Sequence, residues 1–290
     1  MCRAEFQGIS RAPEGNVEEI AAAFRSIRTQ FLQRTKNVPN DPNDPNDPNV
    51  PNVSTEWLLK PLASGGGRHI ERWDGGVVPP RHYLQERIEG IPGSIVFVAA
   101  GGRAVPLGIT RQLVGEGAFG ASGYQYCGNL LGRVFDDSVT DRAAALASAV
   151  AGAFGLVGLN GIDFIVRDGV PYPVEVNPRW CASMELVERA YGVSVFGAHA
   201  AACAAGRLPD FDFRAVSPDA AVVGKAIVFA RADLGIGDTR AWLDDPTVRD
   251  VPPPGQRIRK GSPVCTVFAI GADPAACREA LIRRAEGLTP

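Results

Sequence analysis

Apolar residues at Ile20, Ala23, Phe24, Ile27, Phe31 and Leu32 recur at the three-and-four spacing of a helical stripe, which predicts one amphipathic helix over 17–36. That helix must end before Pro39. Residues 39–53 read PNDPNDPNDPNVPNV, and a proline at every third position suits an extended polyproline-like linker or insertion, not a helix or a central strand. From Thr55 the pattern turns to short strands. Trp57-Leu58-Leu59 runs into Lys60-Pro61 and then a glycine cluster, Ser64-Gly65-Gly66-Gly67-Arg68. His82 to Ile88 and Ser94 to Ala100 read as further strands, and Asp141 to Phe154 as a helix with Leu146, Ala147, Val150 and Phe154 on one stripe. Gly161 to Val166 and Tyr172 to Asn177 flank Arg167-Asp168-Gly169, which predicts a hairpin with a three-residue loop centred on Gly169. Helices around 183–191 and 195–205, a strand-rich stretch from Val222 to Ile270 and a last helix at Pro274 to Glu286 complete the reading. Strands joined by hairpins more often than by helices give an α+β fold with mixed or antiparallel sheets.

Composition narrows the classes. Of 290 residues 45% are hydrophobic, and 33 glycines with 23 prolines stay below the roughly 25–30% share that marks a disordered low-complexity chain. A net charge of −2 supplies no electrostatic footprint for nucleic acid or an anionic membrane. The six cysteines are scattered without a CxxC pair, as expected of a protein in a reducing cytoplasm. The most apolar stretch, Ala143 to Leu159, is too short and glycine-rich for a membrane span. Glu5, Glu14, Glu18 and Glu19 interrupt any signal-peptide core. Only four of the 30 basic residues are lysines, so Lys60 beside a glycine cluster stands out.

The hairpin carries the first candidate chemistry. Strand alternation puts Glu175 and Asn177 on one face, and the loop centred on Gly169 would set Asp163 directly opposite Glu175. Facing carboxylates repel unless one is protonated or a cation lies between them, and three oxygen-bearing side chains suit Mg²⁺. The same residues also fit a solvated polar hairpin face. Likewise Ser64 to Arg68 reads either as a flexible turn or as a loop whose backbone N–H groups meet a phosphate beside Lys60. The spacing matches neither a Walker A sequence nor GxGxxG. Arg111, in Thr110-Arg111-Gln112, is a further candidate for phosphate or substrate.

Together these pieces resemble the ATP-grasp superfamily of ATP-dependent ligases. The resemblance rests on strand-Lys60-Pro61 before the glycine cluster, on Gln85-Glu86-Arg87-Ile88-Glu89-Gly90 at a hinge position, and on Asp163 followed by Glu175-Val176-Asn177-Pro178-Arg179. It covers about Thr55 to Gly206. It implies two α+β subdomains clasping ATP, with Lys60 on the α/β-phosphates and Ser64, Gly65, Gly66 and Gly67 as a mobile lid. Gln85 and the backbone from Glu86 to Ile88 would meet the adenine. Asp163, Glu175 and Asn177 would hold one or two Mg²⁺ ions, with Mn²⁺ as a substitute, and Arg179 would face an acid substrate and its acyl-phosphate. The implied reaction activates a carboxylic acid for transfer to an amine. A bicarbonate-using carboxylase-like enzyme, a non-catalytic ATP-binding subunit and a truncated relic stay open beside it.

The implied domains are an N-terminal remnant over 1–38, the linker over 39–53, the ATP-grasp domain over 54–210 and a small strand-rich domain over 211–290. Family members usually carry a Rossmann-like domain before the position of Lys60, whereas 59 residues precede it here. The expectation is that this domain is absent and that an upstream segment, a partner chain or a second copy completes the pocket.

Overall fold

The structure, a computed structural model, describes residues 56–215 and 221–288; the expected 17–36 helix and 39–53 linker lie outside them. In chain order the strands are β1 (Trp57–Pro61), β2 (Glu71–Arg72), β3 (His82–Glu86), β4 (Ile91–Ala100), β5 (Arg103–Val114), β6 (Tyr126–Leu131) and β7 (Gly158–Arg167). They continue with β8 (Val170–Asn177), β9 (Val222–Phe229), β10 (Leu234–Gly235), β11 (Val248–Arg249), β12 (Arg257–Ile258) and β13 (Pro263–Gly271). The helices are α1 (Asp137–Phe154), α2 (Met184–Tyr191), α3 (Val195–Ala205), α4 (Arg240–Leu243) and α5 (Pro274–Gly287). Every strand pairing among the described residues is antiparallel. A three-stranded sheet has the order β2-β1-β3, and an eight-stranded sheet runs β11-β13-β9-β6-β5-β4-β7-β8. Strands β9, β11 and β13 thus extend the main sheet, with β9 pairing to β6, while β10 and β12 form a separate two-stranded sheet. Among the described residues no helix is long and apolar enough to cross a membrane.

The continuous apolar run of β4 is explained by burial on both faces. Ile95, Phe97 and Ala99 pack under α1 with its stripe of Val139, Ala143, Leu146, Ala147 and Val150. Val96, Val98 and Ala100 face the other way, against Met184, Leu186 and Val187 of α2 and Val195 and Ala202 of α3. Helix α1 begins one turn before the expected Asp141 because the Asp136 side chain accepts from the Val139 N–H at 2.8 Å and caps it. Under β9 and β13, α5 closes a third core with Cys277, Leu281 and Ala285. Its N-terminus is capped by Asp273, which accepts from the Ala276 N–H at 2.8 Å. Asp273→Ala is expected to cost about 1 kcal/mol, read as a lower urea midpoint at unchanged slope.

The β7–β8 hairpin departs from the sequence reading in its loop. Arg167 pairs with Val170, so the turn has two residues, Asp168 and Gly169, with φ of 52° and 73°. A two-residue turn with both centres left-handed suits strand twist better than a three-residue loop. By itself it would place Asp163 opposite Val174. A bulge between Asp163 and Phe164 absorbs Val174 as an extra residue and returns Glu175 to the position opposite Asp163. The expected facing of the two carboxylates is present, by a different route.

Candidate functional site

On the α2/α3 face of the main sheet the cover stops short of Ser94, Gln112, Asn129 and Asp163. There the three-stranded sheet overhangs a cavity of about 660 Å³ whose wall includes residues from both sheets. From the small sheet come Lys60 on β1 and Gln85 on β3. The Lys60 ammonium donates to Gln85 Oε1 at 2.8 Å. Gln85 Nε2 in turn donates to the Val174 carbonyl at 3.1 Å, crossing to the bulge of β8. Burial pushes the Lys60 pKa down, while the carboxylates of Glu175 and Asp163 pull it up.

The glycine cluster closes one side. Tyr126 N–H donates to the Gly66 carbonyl at 3.0 Å. Gly67 adopts φ 73°, and a Cβ there would lie 1.7 Å from the Tyr124 carbonyl oxygen. Only glycine reconciles that backbone with so close an approach. The opposite side is the stretch from Glu86 to Gly90, which links β3 to β4 and lines the wall. Its Arg87, also in the wall, pairs with Glu56 and with Glu89, the latter at 2.8 Å.

The floor is a polar network. Asp163 Oδ1 accepts from Gln112 Nε2 at 2.9 Å and Oδ2 from Asn177 Nδ2 at 3.3 Å. Asn177 Oδ1 accepts from the Arg179 guanidinium at 2.8 Å. Beyond it, Ser94 and Thr110 share a hydrogen bond of 2.8 Å, Asn129 donates to Thr110 at 2.8 Å, and Tyr126 donates to Asn129. Burial and the facing Glu175 raise Asp163 to about 7, against the opposing pull of Gln112, Arg179 and Lys60. Tyr83, beside the wall, is pushed up to about 12 by burial and Glu175. The Cys181 thiol rises to about 12 through burial and Asp163, so it stays protonated.

Among the described residues no three His, Cys, Asp or Glu side chains converge as a metal site. The donors here are two carboxylates and an amide. A facing carboxylate pair fits a hard divalent cation, which needs few protein ligands when a phosphate supplies others. Asn177 presents its nitrogen to Asp163, and a half-turn of its amide would present oxygen instead.

Of the residues singled out from the sequence, Lys60, Gly65, Gly66, Gly67, Gln85, Glu86, Ile88, Asp163, Glu175, Asn177 and Arg179 all line this cavity. Ser64 does not, because the cluster reaches the wall only from Gly65 onward and Ser64 is exposed. Gln85 lines it with an amide engaged by Lys60 and Val174. Arg111 is exposed and outside the wall, since strand alternation gives the site face to Thr110 and Gln112. Gln112, Asn129 and Tyr126 were missed. Their signal was the same alternation, which places polar residues at 110, 112 and 129 where a buried strand would otherwise be apolar.

The model of the ATP-grasp domain matches residues 27–183. An uncharacterised protein of Methanocaldococcus jannaschii is 24% identical over 219 residues, which is 73% of this chain and 50% of that protein. The carbamoyl phosphate synthase large chain of Neisseria meningitidis is 39% identical over 57 residues, or 20% of this chain and 5% of that one. The L-amino acid ligase from Bacillus licheniformis shares the fold with a TM-score of 0.61 at 14% identity, covering 81% of this chain and 63% of the ligase. The biotin carboxylase domain of the Hydrogenobacter thermophilus 2-oxoglutarate carboxylase, crystallised with MgADP and bicarbonate, gives 0.56 at 15% identity, covering 80% and 56%. The chain therefore spans half the length of its Methanocaldococcus relative and under two thirds of either solved chain. With the ATP-grasp domain model matching more than half of its sequence, the chain belongs to the ATP-grasp family.

Proposed function

We propose that the chain binds Mg²⁺-ATP in the 660 Å³ cavity and uses it to phosphorylate a carboxylic acid, whose acyl group then passes to an amine. The observation that carries this reading is the charge arrangement. Two carboxylates face each other on one sheet, and a half-buried lysine on the other sheet senses both. That alternation of charge matches a polyphosphate with its counter-ion, where positioning and neutralisation supply most of the catalysis. Lys60 would contact phosphate, the Gly65–Gly67 backbone would exclude water above it, and Glu86 to Ile88 would meet the base. Asp163, Glu175 and Asn177 would hold Mg²⁺, which when bound offsets charge on the phosphates. The Arg179 fork, which lines the same cavity, would receive the acid or its acyl-phosphate.

Two measurements test the reading. Mg²⁺-ATP should stabilise the protein by about 2.7 kcal/mol when present at about one hundred times its dissociation constant. ADP release should then appear with one member of a panel of acids, bicarbonate included, combined with amines. Stabilisation without turnover on any combination would leave an ATP-binding subunit. No thermal shift at millimolar Mg²⁺-ATP would remove the nucleotide assignment. Arg179→Lys should leave the thermal shift near parental and raise the KM for the acid about tenfold or more, because an ammonium cannot reproduce the planar fork.

A further inference from the structure

A second cavity, of about 870 Å³, opens between the end of α2, strand β13 and α5, and shares no lining residue with the first. Its volume lies within the roughly 300–1,000 Å³ span of small-molecule sites. Three guanidiniums line it, Arg189, Arg283 and Arg284, against a single carboxylate, Asp245. Arg284 satisfies that carboxylate, donating to its two oxygens at 3.1 and 3.0 Å. The other two pair with carboxylates that lie outside the wall. Arg189 lies over the Phe268 ring at 3.7 Å and is 3.6 Å from Glu185, which also takes Lys225 at 3.1 Å. Among the described residues Arg283 pairs with Glu279 at 3.8 Å, with both side chains about two-thirds exposed, an arrangement that water weakens. Between the guanidiniums the wall is apolar, with Val223, Leu288 and an Ile270 that is 66% exposed.

A large aliphatic, exposed among the described residues, sits beside two guanidiniums whose ion pairs, at 3.6 and 3.8 Å, are long and partly solvated. From this juxtaposition we infer a second ligand site, which takes a small organic anion with an apolar body. The anionic head would meet Arg283 and Arg189, and the body would cover Ile270 and Val223. Guanidiniums bind carboxylates and sulfonates through paired N–H groups, while burial of the apolar part adds affinity in proportion to the area removed from water. None of the groups named for the nucleotide site takes part, so the inference stands apart from that reading.

The test uses the full chain with anilinonaphthalene sulfonate as a fluorescent probe. Expected are saturable binding, displacement by decanoate, and no displacement by acetate, which lacks the body, or by decanol, which lacks the charge. Arg283→Glu should weaken the probe about tenfold, as should Ile270→Lys, which removes the aliphatic surface. Both positions are exposed, and circular dichroism should match the parent. Four outcomes would each overturn the inference: unsaturable fluorescence, displacement by decanol as effective as by decanoate, parental probe affinity in both variants, or displacement of the probe by Mg²⁺-ATP.

Discussion

Glu175→Gln is expected to lower ADP release by about a hundredfold or more while leaving the fold intact, and Asp163→Asn should do the same. Each change keeps size and hydrogen-bonding shape and removes one charge from the pair that faces the cavity. Glu175 is solvent-exposed, so its loss has no packing consequence. Asp163 differs, because its carboxylate is enclosed and its pKa is raised to about 7 by burial and by Glu175. A raised carboxyl contributes stability that is complete below the unfolded value of 3.8 and is lost as pH climbs through about 7. In the metal-free protein that loss amounts to at most about 4 kcal/mol, and partial solvent access reduces it. Asp163→Asn should therefore flatten the fall in unfolding free energy between about pH 4 and 7, measured in urea without divalent cations, and make the inactive variant the more stable protein at pH 8. Parental turnover in folded Glu175→Gln would make the hairpin carboxylates surface residues. An unchanged pH profile in Asp163→Asn would show that the carboxyl does not resist ionisation.

Gly67→Ala is the second large effect. The new methyl group would lie 1.7 Å from the Tyr124 carbonyl oxygen, and the backbone at φ 73° is itself unfavourable for alanine. The loop must leave its seat, taking with it the Tyr126 N–H to Gly66 bond of 3.0 Å. A displacement of an ångström or more at a positioned phosphate contact costs on the order of a hundredfold in rate. The expected outcome is a ten- to hundredfold lower rate of ADP release, with earlier proteolytic cleavage between Ser64 and Arg68. Gly65→Ala is the control. A Cβ at Gly65 meets nothing within 4 Å, and its φ is ordinary, so it should stay within about twofold of the parent. Equal losses in the two variants would mean that loop entropy, and not docking on Tyr124, governs the step.

The parts of the fold legible in the sequence were those fixed by local rules. The stripe of α1 and the short strand that runs into Lys60-Pro61 and its glycine cluster each announce themselves within a few residues. The facing of Asp163 and Glu175 was also foreseen, yet through a loop that does not exist. Strand pairing fixes only the parity of register, and a bulge at Val174 trades one residue for another without a sequence signature. Gln112 and Asn129 were passed over for a related reason. Their importance lies in contacts to Asp163 and Thr110, across strands 51 and 19 residues apart in sequence. The pairing of β9 with β6, across nearly a hundred intervening residues, likewise has no local signal. Arg111 failed on alternation alone, a rule available from the start.

The amide of Gln85 has two engagements, with Lys60 on its own sheet and with the Val174 carbonyl on the other. Because the lysine and the bulge are held by one side chain, the upper jaw cannot swing away from the lower without breaking the Val174 bond. The same movement carries Lys60 away from Glu175 and Asp163. Opening would thus act like a geared latch. The gap between the jaws widens in the same stroke that withdraws the positive charge, so an anion gripped there would be uncovered and electrostatically released together.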